Sequence, residues 1–146
     1  MAYNRIHNNG DCRQDEFDAG AAGIYPGMLV KLNSSGDVVI HATSAGAALA
    51  MFAAEDALQG HTVADAYTSG EKVTVLLPSK GTKVNALINA GARVDIAIGD
   101  HLISNGDGTL CEAGGGTSEE VIAVAAEALD LSASGAVDTL CAVIIL

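Results

Sequence analysis

His61, Asp65 and Ser69 lie close together in "GHTVADAYTSG" and are the residue types of a general base, its orienting carboxylate and a nucleophile. They form the one local set of that kind. Ser69 has no G-x-S-x-G setting, nor have Ser34 and Ser35, and all three serines adjoin glycine-containing turns. Ser and Asp at turns ordinarily bond their own backbone, so the turn reading outweighs the catalytic one.

Metal chemistry finds little more. His7, His41, His61 and His101 form neither HxH nor HExxH, so a zinc site would need distant segments to converge. "SNGDGTLCE", Ser104 to Glu112, lacks the alternating oxygen ligands of a calcium loop, and a hairpin turn at Asn105-Gly106-Asp107-Gly108 explains it better. The adjacent carboxylates Glu55-Asp56 and Glu119-Glu120 point to opposite faces if they lie on strands, so neither pair is set for acid–base work. Gly23, Gly27, Gly36 and Gly60 build no phosphate-cradling pattern. The sequence calls for no cofactor, no metal and no catalytic residue.

The elements that would position such groups are short and regular. Pro26-Gly27 is a turn, and Met28 to His41 reads as a hairpin closed by "NSSGD". "EKVTVLL" puts Val73, Val75 and Leu77 on one face and Lys72 and Thr74 on the other until Pro78 stops it. "TKVNALI" repeats the habit, as do Val94, Ile96 and Ile98, followed by turns at Gly99-Asp100 and Asn105-Gly106. Period two with frequent turns predicts an all-β domain over residues 23–146, a small β-barrel or β-sandwich.

Two Ala-rich segments, 47–58 and 121–129, fit helix and strand alike; a strand through about Ala54 is expected in the first. Sliding one over the other aligns Ala53-Ala54-Glu55 with Ala125-Ala126-Glu127, which suggests related structural roles. "CEAGGGTSEE" is expected to be a flexible surface loop. The last strand, Val137 to Leu146, is apolar on both faces from Leu140 onward, as a central buried strand or one covered by another subunit requires.

Residues 1–22 are mainly polar, with an acidic knot at "QDEFD", and are expected to form an extended N-terminal arm that is mobile or held by a neighbour. The beginning of the chain has no apolar stretch of the secretory kind, and no run is long enough to span a bilayer, so a soluble protein away from membranes is expected.

Composition excludes further classes. The 146 residues suit one domain, and with 49% hydrophobic but 3% aromatic residues its core must be built from Ala, Val, Leu and Ile. Seven basic residues against 18 acidic give a net charge of −11, with the basic ones scattered, so direct nucleic-acid binding is not expected. Three widely separated cysteines form no framework: Cys141 reads as a core residue, Cys12 and Cys111 as thiols in a reducing compartment.

The stretches "ALAMFAAEDALQGHTVADAYTSGEKVTVLLPSKGTKVNALI", "GARVDIAIGDHLISNGDGTLCEA" and the final "VIAVAAEAL…AVIIL" resemble the decoration, or cement, proteins on tailed-bacteriophage heads. The resemblance spans most of residues 24–146. It implies a non-enzymatic protein made in the host cytoplasm and carried on the outer surface of the virion capsid. It further implies the major capsid protein as partner and homo-oligomers, trimers favoured over dimers. On this reading Tyr3, Arg5, Ile6, Arg13 and Phe17 are candidates for arm contacts with the capsid. Val143, Ile144, Ile145 and Leu146 are candidates for core or subunit interface. The alternatives are a tail or other virion component, or a small hydrolase or metal-dependent enzyme using His61, Asp65 and Ser69, or converged histidines.

Overall fold

Alternating apolar residues become strands only where a partner covers one face, and here they do so in short pieces separated by glycine turns. The computed structural model describes residues 3–91 and 95–146. Along the chain run β1 (His7–Asn9), β2 (Cys12–Asp18), β3 (Val30–Leu32), β4 (Val38–Ile40), β5 (Phe52–Ala53), β6 (Lys72–Pro78), β7 (Lys83–Ile88), β8 (Asp95–Ile96), β9 (His101–Ser104), β10 (Leu110–Glu112), β11 (Ala123–Ala125), β12 (Leu129–Asp130) and β13 (Thr139–Ile145). A single 3₁₀ turn, Ala57–Gln59, interrupts them. The expected β-rich architecture is present, and both Ala-rich segments contribute strands.

β7, β10, β9, β11 and β13 close into a five-stranded barrel, because β13 pairs with β11 on one side and β7 on the other. Antiparallel register sets Cys141 opposite Ala86, Val143 opposite Val84 and Ala125, and Ile145 opposite Ala123, all buried. Five strands enclose a narrow interior, in which the small Ala86, Ala123, Ala125 and Cys141 make room for the larger Ile88, Leu102, Leu110 and Ile145. That is the physical reason for a chain rich in Ala and poor in aromatics.

The second unit is the sheet β2-β6-β5, which carries apolar residues on both faces. Leu76 and Phe52 join the barrel core, whereas Val73, Val75 and Ala53 join a smaller core with Val30, Val38, Ile24 and Tyr67. The expected hairpin is present: β3–β4 covers that second core in the register Val30↔Ile40, Leu32↔Val38, with Val30 buried but Leu32, alternate to it and so expected inward, exposed. β8 pairs with β12, putting Asp95 opposite Asp130. Ile96 is buried as expected, Ile98 is exposed, and Val94 lies outside the described residues.

The described part of the N-terminal segment, from Tyr3 onward, is built into the body. β1 pairs with β7, β2 pairs with β6 along all seven of its residues, and Ile6 is fully buried in the barrel core. Burial of an Ile side chain contributes roughly 1.5–3 kcal/mol. The neighbour that holds this extended segment is the chain itself.

Candidate functional site

The loop containing His61, Asp65 and Ser69 does not assemble them. Asp65 Oδ2 accepts hydrogen bonds from Thr62 N (2.7 Å) and Thr62 Oγ1 (2.9 Å), which hold its carboxyl below the usual range. His61 lies 5.8 Å from the Tyr67 ring at a tilt of 59°, and its Nδ1 is buried without a hydrogen-bond partner among the described residues. Ser69 is exposed, and no hydrogen bond links the three. Tyr67 is the centre of this region: it is buried and donates its hydroxyl to Ala54 O at 2.7 Å.

A different serine–histidine pair does meet. His41 Nδ1 lies 2.8 Å from Ser104 Oγ, and His41 Nε2 lies 3.2 Å from Ala47 O. A carbonyl can only accept, so Nε2 carries a proton, and in the neutral ring Nδ1 then accepts from the Ser104 hydroxyl. Ser104 Oγ in turn accepts from Gly106 N at 3.2 Å. The spacing suits a base and a nucleophile, but Ser104 is fully buried, so the pair pins the end of β4 to the β9–β10 hairpin. The two residues are 63 positions apart, and no local motif signals them.

That hairpin turn is as the sequence predicts. Asn105 N donates to Thr109 O at 2.9 Å, and Asp107 accepts from Thr109 N, Thr109 Oγ1 and Asn89 Nδ2. Burial alone would raise the Asp107 carboxyl, yet the Thr109 hydrogen bonds outweigh it and keep it below the ordinary value. The glycine run, expected to be flexible, is instead wrapped around a carboxylate. Gly114, Gly115 and Gly116 all donate their N–H groups to Glu119, at 2.9 to 3.0 Å. The row leaves space for a Cβ at Gly115 and Gly116, and what favours glycine is backbone conformation, since Gly115 has φ 85°.

The aligned glutamates share a role. Glu55 Oε2 accepts from Ile6 N at 2.9 Å, and Glu127 Oε2 accepts from Tyr3 Oη at 2.8 Å, so each holds the first residues. Asn85, buried on the outside of β7, completes the anchor: its Nδ2 donates to Arg5 O at 2.7 Å and its N–H to Ile6 O at 2.8 Å. Sequence reasoning missed Asn85 because its partners are distant in the chain.

Of the arm candidates, Tyr3, Ile6 and Phe17 pack against the body, while the side chains of Arg5 and Arg13 are exposed. Of the C-terminal candidates, Val143 and Ile145 are in the barrel core, Ile144 is half-buried and Leu146 is exposed.

Two surface regions stand out. An apolar groove of about 630 Å³ lies at the seam between barrel and hairpin, walled by Tyr25, Pro26, Val63, Leu87, Val137 and Leu140. Val137 is 72% exposed and Tyr25 42%. An acidic groove of about 490 Å³ runs beside β2 and includes Glu16, Glu55 and Asp56, with Leu58 almost wholly exposed at its rim. Among the described residues no group of three or more His, Cys, Asp or Glu is placed to hold a metal ion, and no helix is long and apolar enough to cross a membrane. The sequence matches no protein-family model and no curated protein.

Proposed function

We propose that this chain is a non-enzymatic virion structural protein that binds the outer surface of the major capsid lattice and stabilises the head, acting as a homo-oligomer, a trimer in preference to a dimer. The observation that carries the reading is the use made of the polar residues that could do chemistry. Asp65, Asp107, Glu119 and the His41–Ser104 pair each lock a turn or a seam, and what faces solvent is a rigid β body with an apolar groove. Rigid footprints lose little conformational entropy on docking, and many copies on a repeating lattice add modest contacts into stable occupancy.

The contacts assigned to the capsid are the exposed Arg5 and Arg13 and the groove residue Val137. Residues 1–22 include buried Ile6 and all of β2, so the test uses point variants of the full chain. Purified protein is mixed with heads assembled from the major capsid protein of the same genome, and occupancy is read by sedimentation and mass photometry. Saturable binding that Arg5→Glu, Arg13→Glu or Val137→Asp weakens about tenfold without unfolding supports the proposal. Absence of binding by the folded, unmodified chain overturns it.

A further inference from the structure

Among the described residues no strand pairs with the outer edge of β2 before Ala19, the setting is acidic, and we infer that this edge accepts an extended, Lys/Arg-bearing segment of a partner protein as an added strand. Backbone hydrogen bonds fix which groups face outward. Ala19 N donates to Glu71 O at 2.8 Å, so Ala19 and, by alternation, Phe17, Asp15 and Arg13 turn their backbone groups toward β6. On the far side of β6, Ala54 N donates to Thr74 O, in agreement with that parity. Cys12, Gln14, Glu16 and Asp18 therefore direct N–H and C=O away from the sheet, and β2 ends the order β2-β6-β5.

One end of this edge is covered, because Ala19 bridges Val38 in parallel and Gly20 N donates to Val38 O at 2.8 Å. The rest is open, and residues 13–16 are exposed. The Glu16 N–H is met by Asp15 Oδ1 at 2.8 Å, a carboxylate standing where the carbonyl of an added strand would lie. Natural edges are commonly blocked by Lys, Pro or a bulge, and this one carries a displaceable acid instead.

Charge selects the occupant. Asp15 and Glu16 lie on the edge strand itself, and Glu16 shares with Glu55 and Asp56 a groove that crosses the sheet face and adds to the local negative charge. An arriving strand would supply a carbonyl to Glu16 N–H and cations to the carboxylates, including the displaced Asp15. A second copy pairing antiparallel through the same edge would set Asp15 or Glu16 against its own counterpart in the registers centred on them, and centring on Gln14 would instead set Arg13 against Asp15, so self-pairing is an outcome the test must separate. This inference stands apart from the capsid reading: it needs no head, and head binding can fail while it holds.

The test uses the full chain and three synthetic decapeptides: alternating Lys-Val, alternating Glu-Val, and Lys-Val with two central Val replaced by Pro. Fluorescence anisotropy at low salt reads affinity, and amide exchange reads the edge. The Lys-Val peptide is expected to bind about tenfold or more tightly than either control and to slow exchange at Cys12 and Gln14. Gln14→Pro removes an outward N–H without touching the β2–β6 ladder and should abolish the protection. Should that variant misfold, Glu16→Lys on the edge itself is expected to weaken binding about tenfold. Equal binding of the Pro-containing peptide would reduce the edge to generic acidic attraction and overturn the inference. Equal binding of the Glu-Val peptide, or self-protection of the Cys12 and Gln14 amides at high protein concentration, would overturn it as well.

Discussion

Tyr3 Oη donates a 2.8 Å hydrogen bond to Glu127 Oε2 across 124 residues of sequence, while Oε1 of the same carboxylate accepts Ala142 N from β13 at 2.9 Å. One side chain thus ties the start of the chain to the barrel wall. Tyr3→Phe removes only one donor and should lower stability by about 1 kcal/mol; Glu127→Ala also strands the Ala142 amide and should cost about 2–3 kcal/mol. Urea midpoints give both values, and a Glu127→Ala cost no larger than that of Tyr3→Phe would contradict the shared-carboxylate account.

The same carboxylate creates an alkaline weakness. Burial, the hydrogen bond to Glu127 and the Glu127 charge push Tyr3 from 10.0 up to about 12. Burial, then Glu127, pushes the Cys141 thiol from 9.0 up to about 12. Both groups hold their protons more tightly folded than unfolded, so the unfolded chain releases protons first as pH rises. Their contribution is complete below about pH 9 and is lost progressively up to about pH 12. Thermal unfolding at stepped pH should show a steeper fall for the native chain than for a Tyr3→Phe/Cys141→Ala double variant over that window.

How much of this was legible follows from how far each partner lies along the chain. The β3–β4 hairpin and the alternation of β6 are local and are readable from the turn at 33–37 and from Val73 and Val75. Leu76 breaks the alternation because its sheet has a core on each face, which no single-strand pattern reveals. The Ala-rich segments are decided by pairing, Ala53 with Val75 and Ala125 with Val143. β2 looks solvent-bound because an edge strand is held by backbone bonds that leave no trace in composition. The glycine row around Glu119 and the Asn85 anchor are equally silent, since backbone amides and remote carbonyls are their partners.

Ser104 and His41 offer a test of a buried polar pair with no exposed role. Ser104→Ala leaves His41 Nδ1 and Gly106 N without their partner and should destabilise by about 1–3 kcal/mol. Chemical denaturation measures the loss. A neutral outcome would mean that the hydroxyl does not hold the β9–β10 hairpin to the end of β4.

Gly27 sits where the hairpin unit meets the barrel, and its conformation and its space can be separated by comparison with Gly36. Both have positive φ, 89° and 84°. A Cβ on Gly36 would meet nothing, so Gly36→Ala carries only the left-handed backbone cost of about 1–2 kcal/mol. A Cβ on Gly27 would stand 2.5 Å from Leu140 Cδ2 and 3.2 Å from both Asn85 O and Leu87 N. Leu140 can rotate away, but the backbone of β7 cannot, because Leu87 N donates to Gly27 O at 2.9 Å and holds the two strands together. Gly27→Ala should therefore cost about 1–3 kcal/mol beyond Gly36→Ala, and Leu140→Ala in the same chain should recover only the side-chain part. Equal losses at the two glycines would show that hairpin and barrel are not packed at this distance.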